Sequence, residues 1–150
     1  MSSILVLYHS QQYGNTKKMA EAVADGVREA GGEVTLHNAN EGRFDVNQYR
    51  SFDAAAFGTP DYYSYIAGTL KVFLDDWFLA KRENATGLTD KPIALFYSHG
   101  GGGAVRKPLE RLFTKPGKPV KAPVESLGEP SGGVLTSCRE LGRALADAVA

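Results

Sequence analysis

Short unbroken apolar runs alternate along this chain with longer stretches in which apolar residues recur every three or four positions. Residues 4–8 (ILVLY) form the first run, and its lack of polar alternation marks a strand covered on both faces. Met19, Val23, Val27 and Ala30 follow at helical spacing, and Gly31-Gly32 supplies a C-terminal stop. Residues 33–37 read as a second strand, and the polar stretch 38–50 has room for a short helix. Residues 52–58 are apolar but poor in branched side chains, and are expected to form a third strand. Across residues 68–81, Leu70, Phe73, Leu74, Trp77 and Phe78 line one helical face. Residues 92–98 are a fourth strand, followed by a glycine run and a helix near 108–113, where Pro108 suits a first turn. Residues 115–123 read as a surface loop and 124–127 as a weak strand. Leu141, Leu145, Ala148 and Val149 mark a last helix.

Strands that alternate with helices predict right-handed crossovers and a parallel sheet covered on both sides, an α/β architecture. No repeat, linker or low-complexity stretch interrupts the pattern, so residues 1–150 are expected to form one domain. Seventeen basic and seventeen acidic residues cancel. That balance gives no reason to expect nucleic acid or an anionic membrane as the main partner. One cysteine, Cys138, cannot make an internal disulfide or a multi-cysteine metal site. The N-terminal apolar stretch is too short to span a bilayer and has no charged region before it, so a cytoplasmic location is the expectation.

In an open parallel sheet, ligands bind outside the carboxyl ends of the strands. That rule selects three loops. The first runs from His9 through Ser10, Gln11, Gln12, Tyr13, Gly14, Asn15 and Thr16 into a helix, whose free amides and dipole favour an anion. A phosphate site and a merely capped helix start both fit it. It matches neither G-x-x-x-x-G-K-[ST] nor G-x-G-x-x-G. The second loop, Thr59, Pro60, Asp61, Tyr62, Tyr63, Ser64 and Tyr65, carries three tyrosines. They suit stacking on a flat ring system, or tucking over the helix below. The third loop, Ser98, His99 and Gly100 to Gly103, exposes main chain without side-chain obstruction, which suits the polar edge of a heterocycle or a mobile connector. Trp77 and Cys138 are expected in the core.

In order and spacing, over nearly the whole chain, these segments resemble the flavodoxin-like FMN-binding family. YHSQQYGNTKKMAEAVADGV resembles its phosphate loop and first helix. FGTPDYYSYIAGTLKVFLDD resembles its second flavin loop, especially in the NAD(P)H:quinone oxidoreductase branch. KPIALFYSHGGGG resembles the loop at the pyrimidine side of the flavin, and SCRELGRALADAVA the last helix. The resemblance implies a five-stranded parallel sheet of order 2-1-3-4-5, a doubly wound fold with helices on both faces, and noncovalent FMN. It places Ser10, Gln11, Gln12, Gly14, Asn15 and Thr16 around the phosphate. It places Thr59, Pro60, Asp61, Tyr62 and Tyr63 at the ribityl chain and ring, with Ser98, His99, Gly100 and Gly101 opposite. The chain departs from the family in a first loop one residue longer than in many relatives. It also has a neutral balance where dedicated carriers are acidic, and it lacks the quinone-reductase branch's longer loops and tail.

Two redox functions follow as expectations. One is electron transfer between protein partners through a noncovalent flavin. The other is reduction of a quinone-like acceptor by NAD(P)H at the same flavin, with His99 assisting proton transfer. A receiver-like signalling domain would need clustered acids and a phosphorylatable aspartate after strand three. Here Asp53 stands at that strand's start and Asp61 is alone.

Overall fold

The computed structural model describes residues 1–150. Its centre is a parallel sheet built from β1 (Ser3–Tyr8), β2 (Glu33–Asn38), β3 (Ala54–Pro60), β4 (Lys91–His99), β5 (Gly117–Pro119) and β6 (Val124–Leu127). The order is β2-β1-β3-β4-β5, with β6 also paired to β4, and every named pairing is parallel. Helices α1 (Asn15–Glu29) and α5 (Gly132–Ala148) cover one face. The other carries α2 (Val46–Tyr49), α3 (Gly68–Arg82) and α4 (Arg106–Leu112). No helix is long and apolar enough to cross a membrane.

The two faces differ in bulk because alternate strand residues point to opposite sides. Leu5, Leu7, Phe57, Ile93, Leu95 and Tyr97 join Phe44, Tyr49, Phe73, Trp77 and Phe113 in an aromatic-rich core. Ala54, Ala56 and Ala94 face α1 and α5. Small residues there let both helices sit close to the sheet, which accounts for the scarcity of branched side chains in β3. The tightest approach is between the helices themselves. A Cβ on Gly26 would overlap the Arg139 carbonyl, and one on Gly142 would overlap that of Val23.

Two expectations need correction. The stretch 115–123 is not all loop, because β5 lies within it and pairs with the start of β4. The fifth strand position is thus shared by β5 and β6, which pair with successive halves of β4. Phe78 does not belong to the buried face of α3; it is 53% exposed. It follows Trp77 directly, one helical step of about 100° off the stripe.

Lys91 is the chief buried charge of the lower core. It is 8% exposed, its amine donates to the carbonyls of Tyr49 and Phe52, and it lies 4.5 Å from the centre of the Tyr49 ring. Burial pulls its pKa down to about 8. The unfolded chain, with an ordinary lysine, therefore binds more protons between pH 8 and about 10.4, and stability contributed by this group rises with pH across that window. The gain is expected to be on the order of 3 kcal/mol. Denaturant unfolding between pH 7 and 10 should show wild type gaining on Lys91→Met. Parallel pH profiles would refute the assignment.

Candidate functional site

The first helix starts without a cap. Gly14, left-handed at φ 72°, occupies the N-cap position and has no side chain to cap the first turn. A Ser, Thr, Asp or Asn cap ordinarily contributes about 1 kcal/mol. The turn also has no acid and contains Lys17 and Lys18, the wrong sign for a helix N-terminus. The amides of Gln11, Gln12, Tyr13, Gly14, Asn15 and Thr16 donate to no group of the protein. Only the Lys17 amide is met, by Ser10 Oγ at 3.2 Å, which leaves the Ser10 hydroxyl proton free to donate outward. The N-cap residue itself caps nothing, and one amide of the first turn is met from outside, by Ser10. The residues that carry the free amides, with Ser10, Pro60, Tyr62 and Ser98, line a cavity of about 70 Å³. That is about the space of two waters, the scale of one phosphate group.

Two residues outside the candidate set hold this loop in shape. Asn38, at the end of β2, accepts the Ser10 amide at 3.0 Å and donates to the Ser10 carbonyl at 2.9 Å. His9 is 4% exposed; its Nε2–H donates to Gln11 Oε1 at 2.7 Å, and its Nδ1 pairs with the Thr69 hydroxyl at 2.8 Å. The signal for Asn38 was the sheet order, since β2 beside β1 ends next to the first loop. His9 joins that loop to α3, a contact no local pattern announces.

In the second loop the candidate residues divide. Thr59 is fully buried, and its hydroxyl donates to the Pro60 carbonyl and accepts the Ala67 amide. Asp61 accepts the Ser64 amide with one oxygen and the Val105 amide with the other. Both side chains hold the loop rather than line the cavity. Pro60 and Tyr62 do line it, and the Tyr62 ring meets His9 edge-on at 5.5 Å. Tyr62 and Tyr65 exchange main-chain hydrogen bonds across a tight hairpin whose central residues, Tyr63 and Ser64, have φ of 60° and 64°. Two non-glycine residues in the left-handed region store strain on the order of 1–3 kcal/mol each. The hairpin thereby holds the Tyr63 ring entirely in solvent. None of the three tyrosines tucks into the core; Tyr62 and Tyr65 are 39% and 37% exposed.

The third loop begins at the buried Ser98, whose hydroxyl meets Thr16 Oγ1 at 2.9 Å and ties β4 to the first turn of α1. Gly100 and Gly101 are exposed, with open space where a side chain would stand. A flat ligand can therefore approach the main chain there. His99 lies beneath, its ring nitrogens buried and without hydrogen-bond partners. Cys138 is buried in the core between the sheet and helices α1 and α5, its thiol pushed up to about 12 by burial, which makes it a packed side chain and not a nucleophile.

The neutral total charge conceals a partition. Between Arg106 and Lys121 six basic residues face one acid, Glu110, and the rest of the chain carries the opposite excess. Lys18 is paired with Glu129 at 2.7 Å, both side chains largely exposed, and Lys17 has no ion-pair partner.

A helix start with free amides, a phosphate-sized cavity, an exposed tyrosine and an open glycine edge converge along one border of the sheet. This arrangement can hold a phosphorylated compound with a flat heterocycle. Comparison with known proteins agrees. The family model described as Flavodoxin matches residues 6–129. An NAD(P)H dehydrogenase (quinone) of Archaeoglobus fulgidus is 33% identical over a match covering 50% of this chain and 51% of that protein. One from Brucella anthropi is 34% identical, with 50% and 46% covered. The chain thus spans about half the length of the curated relatives it matches. Among solved structures, a flavodoxin from the domain Archaea superposes with a TM-score of 0.83 at 23% identity, covering 98% of both chains. A flavodoxin, WrbA-like protein from Agrobacterium tumefaciens gives 0.77 at 26% identity, with 99% of this chain and 98% of that one covered.

Proposed function

Because this chain belongs to the flavodoxin family, with FMN as its cofactor, we propose that residues 1–150 act as one FMN-binding redox domain that passes electrons through a noncovalent flavin. The observation that carries the reading is the uncapped start of α1, with six free amides around a phosphate-sized cavity. Bound FMN supplies the electron-accepting and electron-donating ring; the protein supplies position, access and electrostatics.

The main chain of Gln11 to Thr16 and the Ser10 hydroxyl hold the phosphate. The Asn38 clamp and the Thr16–Ser98 contact fix those donors before the ligand arrives, so little ordering cost falls on binding. Tyr62 and Tyr63 cover ring surface from the second loop. Gly100 and Gly101 approach the opposite polar edge with main-chain groups, and the loop between β4 and α4 leaves that border open to a redox partner.

A second reading, NAD(P)H-dependent reduction of a quinone-like acceptor, is supported by the curated relatives named NAD(P)H dehydrogenase (quinone). The balanced charge of the chain also favours it over docking through an acidic surface. Anaerobic addition of NADPH, then NADH, to the FMN-loaded protein separates the two. Bleaching of the visible flavin band without another protein is the expected result for the reductase. A flavin that stays oxidised, yet is reduced once a redox-partner reductase is added, is the expected result for the carrier. A protein that retains no FMN would overturn both.

A further inference from the structure

His99 presents an unsolved polar balance. Its side chain is 6% exposed, and both ring nitrogens are buried with no hydrogen bond. Buried polar atoms are nearly always paired, so an orphan calls for a reason. The nearest charged atom is Glu125 Oε2, 3.5 Å from Nε2, just too far for a good hydrogen bond to a neutral ring. That same oxygen accepts the Tyr97 hydroxyl at 2.6 Å. The Tyr97 and His99 rings lie nearly parallel, 28° apart with centres at 6.0 Å. Gly103, left-handed at φ 63°, roofs the group; a Cβ there would stand 3.0 Å from Glu125 Oε2 and 3.2 Å from His99 Nε2. Glycine suits the left-handed φ there, and a side chain would press on both groups.

Four elements supply the charges around it: Tyr97 and His99 from β4, Glu125 from β6, Arg106 at the start of α4, and Asp61 from the second loop. Asp61 is committed to two amides, and Arg106 to Glu110 and the vicinity of Tyr97. Tyr97 stays a neutral donor, its hydroxyl pushed up to about 12 by burial and by the adjacent carboxylate. The hydrogen bond from Tyr97 in turn holds Glu125 below the usual carboxylate range. Glu125 is therefore anionic and half exposed, with one oxygen 3.5 Å from the buried imidazole and a route to water.

We propose that Tyr97, Glu125 and His99 form a proton-holding relay beneath the glycine loop, in which Glu125 is a positioning residue that draws a proton onto His99 as bound FMN gains electrons. This rests on the FMN reading. The electrons come from a chemical or protein reductant, and the proton from water by way of the exposed side of Glu125. A new N–H bond forms on the imidazole; no bond between heavy atoms changes. The positive charge gained there offsets the negative charge that the electrons bring, and the Glu125 pair closes from its 3.5 Å gap. An imidazole left unpaired in the absence of that event is what such a device requires.

Proton uptake gives the test. FMN-loaded wild type, Glu125→Gln and His99→Asn are reduced photochemically in weak buffer near pH 7, with a pH indicator present. Wild type is expected to take up more protons per flavin than either variant, by up to about one, since one imidazole holds one. The two variants should agree with each other, and the double variant should lose nothing further. Equal uptake in wild type and His99→Asn, with flavin retained, would overturn the relay and leave the FMN reading standing. Loss of flavin from wild type itself would overturn that reading and the relay with it. In the FMN-free protein, imidazole nitrogen resonances check the contact directly. Glu125→Gln should move the His99 Nε2 signal, and an unchanged signal would overturn the pairing. The glutamine retains shape and an acceptor for Tyr97, so the fold is not at stake.

Discussion

Replacing Asn15 by aspartate is expected to stabilise the FMN-free protein and to weaken FMN binding by more than about 100-fold. The two effects share one cause. Asn15 is the first residue of α1, beside the uncapped Gly14 and on the wall of the phosphate-sized cavity. A carboxylate there meets the free amides and the positive end of the helix, which contributes about 0.3–1 kcal/mol. The same charge repels a phosphate held by those amides. At about 5 Å and an effective dielectric of about 20, each unit of phosphate charge adds about 3 kcal/mol of repulsion, or two orders of magnitude in affinity. Thermal unfolding of the FMN-free protein should rise slightly while flavin titration shows the loss. Riboflavin, which lacks the phosphate, separates charge from shape: its affinity should be nearly unaffected by Asn15→Asp. Equal losses for FMN and riboflavin would place the phosphate elsewhere.

The parts of this molecule that the chain announces are those governed by local periodicity. β1, β3 and β4 stand out because both of their faces are covered, so apolar residues run without a break. α1 and α5 stand out because one face is polar. β5 does not, since it is a three-residue edge strand of Gly117, Lys118 and Pro119. Lysine and proline are what protects an edge from further pairing, and they look like a loop when met in sequence. Site residues follow the same division. The carboxyl-end rule locates all three loops, but it cannot tell a side chain that faces a ligand from one spent on the loop itself. Thr59 and Asp61 are spent in this way, and the Asp61 partner Val105 lies 44 residues along the chain. Asn38 and Glu125 escape notice for the same reason, as each acts on a loop it does not belong to, and His9 because it ties its own loop to Thr69 of α3.

The second large effect tests how the fold places α1 at all. Gly142→Ala is expected to cost about 2 kcal/mol of stability, roughly 4–8 °C in melting temperature for a chain of this size. Alanine in a helix is intrinsically better than glycine by about 1 kcal/mol, so the sign of the change is diagnostic. It reverses here because the added methyl would occupy the position of the Val23 carbonyl, a main-chain group that cannot rotate away. Gly26→Ala meets the Arg139 carbonyl from the opposite helix and should cost a similar amount. Both substitutions force the same separation of α1 from α5, so the double variant should lose distinctly less than the sum of the two. Gly26 lies three turns along α1 from the phosphate loop, and the first turn is held independently by Ser98 and Asn38. FMN affinity of the folded variants should therefore change by no more than about threefold, an energy below 1 kcal/mol. A larger loss would mean that the α1–α5 contact, and not the strand ends alone, sets the aim of the helix at the phosphate.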